Sequence, residues 1–144
     1  NFELTDEGSK KVRLSDFKGK KIVLYFYPKD DTPGCTKEDC TFRDNFKELK
    51  KLNVEILGLS NDDEKSHKKF SDKFKLPFKL LCDVDKKVSK DYGVYELKNF
   101  MGKSYYGVIR STFIIDEKGK IENIFYKVNP ENHIDEIKKF LEEV

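Results

Sequence analysis

The sequence predicts an α/β fold, a mixed central sheet flanked by helices with an N-terminal β-hairpin, in a single domain over residues 1–144. Three observations carry that prediction. Residues 22–27 and 54–60 are largely apolar runs, as expected of strands buried on both faces. Helically spaced apolar positions separate those runs, which implies parallel pairing through crossovers. Late in the chain, Asp116-Glu117-Lys118-Gly119 reads as a four-residue hairpin connection that adds antiparallel strands. A chain of 144 residues is long enough to bury a core without disulfide staples.

Taken in order, residues 2–5 and 11–14 flank the turn-forming Asp6-Glu7-Gly8-Ser9 as a small hairpin. The strand over 22–27 ends at Pro28. After a loop to Gly34, the spacing of Phe42, Phe46, Leu49 and Leu52 predicts one helix over 35–52. Residues 62–75 open with acidic side chains and carry Phe70 and Phe74 one turn apart, a helix broken by Leu76-Pro77. A short strand over 79–82, a short helix over 85–92 and a glycine-punctuated, aromatic-bearing loop over 93–107 follow. Strands over 108–115 and 120–127 lead to a final helix. There Asn129 suits the cap and Pro130 the first position, and Ile134, Ile137, Phe140, Leu141 and Val144 form the apolar stripe.

Composition excludes several function classes. With 29 basic and 27 acidic residues the net charge is only +2, too balanced for an electrostatic nucleic-acid partner. No apolar run approaches the roughly 20 residues of a membrane span, and no signal-peptide pattern opens the sequence, so no membrane partner is expected. Three unevenly placed cysteines do not make a secreted disulfide scaffold; a reducing, cytoplasmic setting with one specialised thiol pair fits better.

That pair lies in Pro28-Lys29-Asp30-Asp31-Thr32-Pro33-Gly34-Cys35-Thr36-Lys37-Glu38-Asp39-Cys40, between a central strand and a helix. α/β sheets place their sites at this edge. A thiol at a helix N-terminus faces unpaired N–H groups and the positive end of the macrodipole, which predicts a lowered pKa for Cys35. Residues five apart on a helix have α-carbons roughly 8 to 9 Å apart, beyond the ~7 Å limit of a disulfide. Cys35 and Cys40 therefore bond only if the first helical turns unwind or if no helix forms there, and such a bond is labile. The same residues also read as a static disulfide or as two unrelated small apolar side chains. Zinc spacing is absent, because His67 and His133 stand far from the cysteines in sequence. His67, beside Lys68 and Lys69, reads as a surface histidine, and His133 lies next to the stripe of the last helix. Arg110 interrupts an otherwise apolar strand, where it either meets a partner or snorkels to solvent from an edge.

Pro28, Thr32 and Cys35 match the P-x-x-x-T-x-x-C signature, and with Cys40 the chain resembles the peroxiredoxins, in particular their bacterioferritin comigratory protein or peroxiredoxin Q branch. Phe42-Arg43-Asp44, Asp83-Val84-Asp85, Tyr92-Gly93-Val94 and Arg110-Ser111-Thr112-Phe113 extend the likeness over nearly the whole chain. The resemblance implies a thioredoxin-like fold and a peroxidase for hydrogen peroxide and organic hydroperoxides. In it Cys35 is the peroxidatic and Cys40 the resolving cysteine, Thr32 and Arg110 bind peroxide and thiolate, and Pro28 shields the pocket. Glu38 stands where the family often carries a glutamate. No metal, flavin or haem cofactor is implied, and recycling by thioredoxin or a glutaredoxin-like reductant is. Cys82, which the branch does not require, has the apolar neighbours of a buried structural thiol. With no cysteine after it, resolution is local and a monomer completes the cycle.

Overall fold

The computed structural model describes residues 2–129 and 133–142. Pro130 and Val144, assigned above to the final helix, lie outside the described residues. The chain builds β1 (Glu3–Thr5), β2 (Lys11–Arg13), β3 (Lys21–Phe26), α1 (Pro33–Asp44), α2 (Phe46–Lys51), β4 (Val54–Ser60), α3 (Glu64–Phe74) and β5 (Lys79–Cys82). It continues with α4 (Lys87–Asp91), β6 (Tyr95–Phe100), β7 (Lys103–Val108), β8 (Ser111–Ile115), β9 (Ile121–Phe125) and α5 (His133–Glu142). Seven strands form one sheet in the order β2-β1-β5-β4-β3-β8-β9. Its centre, β3, β4 and β5, is parallel, while β8, β9 and the N-terminal hairpin join antiparallel, so the predicted mixed sheet is present.

Alternation along β3 divides the interior. Val23, Tyr25 and Tyr27 point into one cluster with Cys35, Phe42, Leu49, Phe70 and Ile137, which buries the apolar sides of α1, α2, α3 and α5. Ile22, Leu24 and Phe26 point into the other, with Val88, Val94, Val108 and Phe113. Helices thus cover both faces, and the site begins where β3 leaves the sheet.

Three sequence expectations change. The helix expected over 35–52 is two helices, because Asn45 (φ −107°, ψ 8°) leaves helical geometry and its Nδ2 donates to the Thr41 carbonyl at 2.8 Å. A short polar side chain competing for that carbonyl is a common helix terminator. The loop expected over 93–107 contains the hairpin β6–β7, turned at Met101 and Gly102, both with positive φ (50° and 77°). That is the two-residue turn geometry matching strand twist, built here on a dipeptide that carries no strong turn signal. The strand expected over 108–115 is broken between β7 and β8, and Arg110 sits in the break.

At Gly58, paired with Tyr25 in the β3–β4 register, a Cβ would stand 2.7 Å from the Tyr25 ring and hydroxyl and 2.9 Å from Leu80. Both neighbours are fully buried. Gly58→Ala is expected to destabilise the fold by about 1–3 kcal/mol through overpacking. Urea unfolding midpoints check this; an unchanged midpoint contradicts the close packing of Tyr25.

Candidate active site

The backbone leaves β3 after Phe26 and crosses residues 27–32 before entering α1. Thr32 holds the extended geometry of an N-cap (φ −96°, ψ 154°), and its carbonyl accepts the first helical bond, from the Thr36 N–H at 2.8 Å. Its hydroxyl donates to the Lys29 carbonyl at 3.1 Å, tying the loop to the helix start. Cys35 lies in the first turn and is fully buried. Pro28 is half-buried and lines a cleft of about 350 Å³ with Lys29, Tyr95, Tyr105 and Tyr106.

Arg110 reaches the sulfur from the opposite side. The pairing of Ser111 with Phe26 carries the β7–β8 break to the exit of β3. Ile109 N–H donates to the Val94 carbonyl at 2.7 Å, and Val128 N–H donates to the Arg110 carbonyl at 2.9 Å, fixing the backbone on both sides. One guanidinium nitrogen donates to Cys35 Sγ at 3.1 Å and the other to Glu38 Oε1 at 2.8 Å. Of the two readings open in the sequence, Arg110 follows the one in which it meets partners.

The expected lowering of the Cys35 pKa is not what this environment gives. Burial raises it, opposed by Arg110, Thr32 and the Lys29 backbone, and the balance leaves the thiol above its ordinary value. The cost of taking the charge out of water outweighs the helix terminus and the guanidinium. Burial likewise pushes Glu38 up to about 7 against the pull of Arg110. Near neutral pH Glu38 therefore titrates, and its ionised form competes with Cys35 for the one guanidinium.

Cys40 is half-buried, also on α1, and both thiols are free. They stand five positions apart on continuous helix, the arrangement that requires unwinding before a disulfide forms. Cys82 is buried on β5, as expected of a structural thiol, and burial pushes its pKa to about 12, which leaves almost no thiolate at neutral pH.

His67 is a correction: it is fully buried rather than on the surface. Its Nδ1 lies 2.7 Å from Asp30 Oδ2 and its Nε2 lies 2.9 Å from the Leu81 carbonyl. The Leu81 carbonyl can only accept, so Nε2 carries a proton, and an Asp30 carboxylate beside Nδ1 favours a second one, the imidazolium form. Burial lowers its pKa, but Asp30, the Leu81 carbonyl and Asp62 together leave it raised. Asp30 also accepts from the Tyr27 hydroxyl at 2.6 Å and the Ser66 hydroxyl at 2.8 Å, while its backbone N–H donates to Asp62 at 2.8 Å. Asp30, Asp62 and His67 bring potential metal-ligand atoms within 4.8 Å of one another. Here they make the bonds that clamp the loop before Thr32. The signal in the sequence was that His67, Phe70 and Phe74 share one helical face. The same periodicity places Asp39, three residues before Phe42, on the buried side of α1.

Residues 1–124 match the AhpC/TSA family. The chain is 52% identical over 133 residues to a bcp protein of Coxiella burnetii, covering 92% of this chain and 87% of that one. It is 44% identical over 142 residues to peroxiredoxin Bcp of Escherichia coli, covering 99% and 91% of the two chains. The solved bacterioferritin comigratory protein of Xanthomonas campestris, described for alkyl peroxide reduction, superposes with a TM-score of 0.93 at 35% identity. That match covers 99% of this chain and 90% of the other.

The His67–Asp30 pair sets a pH dependence. A histidine in the unfolded chain titrates near 6.5, and His67 in the fold titrates higher. Its proton-linked stabilisation is full below the unfolded value and is lost as pH rises through the folded one. His67→Asn is expected to cost about 3–5 kcal/mol at acidic pH, since it strands a buried carboxylate, and less as pH rises. Denaturant unfolding of both proteins across pH 5 to 9 checks this, and a pH-independent difference contradicts the buried imidazolium.

Proposed function

Because the chain belongs to the AhpC/TSA family, within its Bcp and peroxiredoxin Q branch, we propose that it is a thiol-dependent peroxidase in which Cys35 is the nucleophile. One observation carries this reading: the buried Cys35 sulfur at the start of a helix, 3.1 Å from an arginine whose second nitrogen is held by Glu38. A guanidinium so placed favours the thiolate and offers donors to an oxygen developing charge.

The Cys35 thiolate attacks one peroxide oxygen. An S–O bond forms as the O–O bond breaks, and the departing oxygen takes a proton and leaves as water or an alcohol. Thr32 and Arg110 bind the reacting oxygens, and Pro28 screens the sulfur from bulk water. The Cys40 sulfur then attacks the Cys35 sulfenic acid: the S–O bond breaks, an S–S bond forms, and the hydroxyl leaves as water with the Cys40 proton. A dithiol reductant of the thioredoxin or glutaredoxin type supplies two electrons and two protons to restore both thiols. Both cysteines lie on one helix, so a monomer completes the cycle, and the need for a dithiol reductant suits a cytoplasmic setting.

Cys35→Ser is expected to abolish peroxide consumption. Cys40→Ser keeps one stoichiometric oxidation of Cys35 but loses at least about tenfold of the turnover supported by thioredoxin, the scale of losing a positioned intramolecular partner. Peroxide consumption coupled to reductant oxidation reads both; turnover in Cys35→Ser, or undiminished turnover in Cys40→Ser, overturns the assignment.

A further inference from the structure

Asp39 lies on α1 between Cys35 and Cys40 and is fully buried. Neither of its carboxyl oxygens has a hydrogen-bond partner among the described residues. The buried Tyr25 hydroxyl on β3 is the donor that bears on Asp39, lowering its pKa, but it falls short of normal hydrogen-bond geometry. The other groups acting on it are Glu38 on the same helix, Asp30 in the preceding loop and Arg110. Burial holds the Asp39 pKa well above the ordinary carboxylate range, which favours the neutral form in the folded helix. Even neutral, a carboxyl with no partner in an apolar interior is costly, because water satisfied it in the unfolded segment. Phe42, one turn on, stacks on Tyr25 with ring centroids 4.5 Å apart.

The penalty is local. It exists only while α1 is wound, and unwinding the first turns returns Asp39 to water, where it hydrates and ionises. The same unwinding is what Cys40 needs to approach Cys35. We propose that Asp39 is a positioning residue for disulfide closure, its buried and unpartnered carboxyl biasing α1 toward the unwound conformation in which the Cys40 sulfur reaches the Cys35 sulfenic acid. This rests on the reading of Cys40 as the resolving cysteine. The chemical step is the condensation already written, with water as the leaving group; Asp39 changes how often the helix is open, not which bonds form.

Rapid mixing of the reduced protein with hydrogen peroxide, acid quench and mass spectrometry resolve the sulfenic acid from the disulfide, and so give separate rates for oxidation and closure. In Asp39→Ala the ratio of closure to oxidation rates is expected to fall roughly five- to thirty-fold, the effect of relieving one unsatisfied buried polar group. Amide exchange in α1 of the reduced protein slows by a similar factor. Asp39→Asn keeps a buried polar group and stays within about threefold of the parent ratio. An unchanged ratio in Asp39→Ala overturns the proposal, as does a slowed ratio in Asp39→Asn equal to that in Asp39→Ala. If the parent protein forms no Cys35–Cys40 disulfide, the resolver assignment itself has failed, an outcome distinct from disulfide formation that ignores Asp39.

Discussion

The sulfur proposed to attack peroxide must carry negative charge where it is buried, and the Arg110 fork makes that tolerable. Cys35 is fully buried, and a thiolate there without a counter-charge would be expelled or protonated. The fork also satisfies Glu38, so two buried ionisable groups share one positive charge. Much of the topology serves this contact. The antiparallel β3–β8 register carries the strand break to the exit of β3, and bonds to Val94 and from Val128 hold Arg110 there. The guanidinium thus arrives from a different part of the sheet than the helix that carries Cys35, so its anchoring does not depend on that helix.

Two demands on the helix conflict. A wound α1 presents Cys35 to Thr32 and Arg110, whereas disulfide formation requires α1 to open. The structure separates the two by anchoring what comes before the helix and weakening the helix itself. Asp30 receives bonds from Tyr27, His67 and Ser66 and donates its backbone N–H to Asp62, so the loop that carries Pro28 and Thr32 is fixed to β4 and α3. Beyond it, α1 carries the unpaired Asp39 and ends early at Asn45.

Strands buried on both faces were legible because their hydrophobicity is continuous, and the C-terminal helix because its stripe is regular. The site residues near the cysteines were legible because they lie within one loop and one helix start. Arg110 was legible as an anomaly, a charge in an apolar run, but only the strand register shows where it points. The β6–β7 hairpin escaped because both its faces are largely exposed and no burial alternation marks it. His67 and Asp39 were hidden for a shared reason: polar residues on an apolar stripe look like surface residues until periodicity is given precedence over residue type. The Cys35 pKa was misjudged because sequence shows the helix terminus but not the depth of burial.

Whether Arg110 sustains a buried Cys35 thiolate can be read without peroxide chemistry. In a Cys40→Ser background, the rate of Cys35 alkylation by iodoacetamide is followed against pH with and without Arg110→Leu. The account predicts a midpoint above that of an ordinary thiol, moved further upward by Arg110→Leu, with alkylation at neutral pH slower by about tenfold or more for the lost charge-assisted bond. Superimposable pH profiles would contradict it.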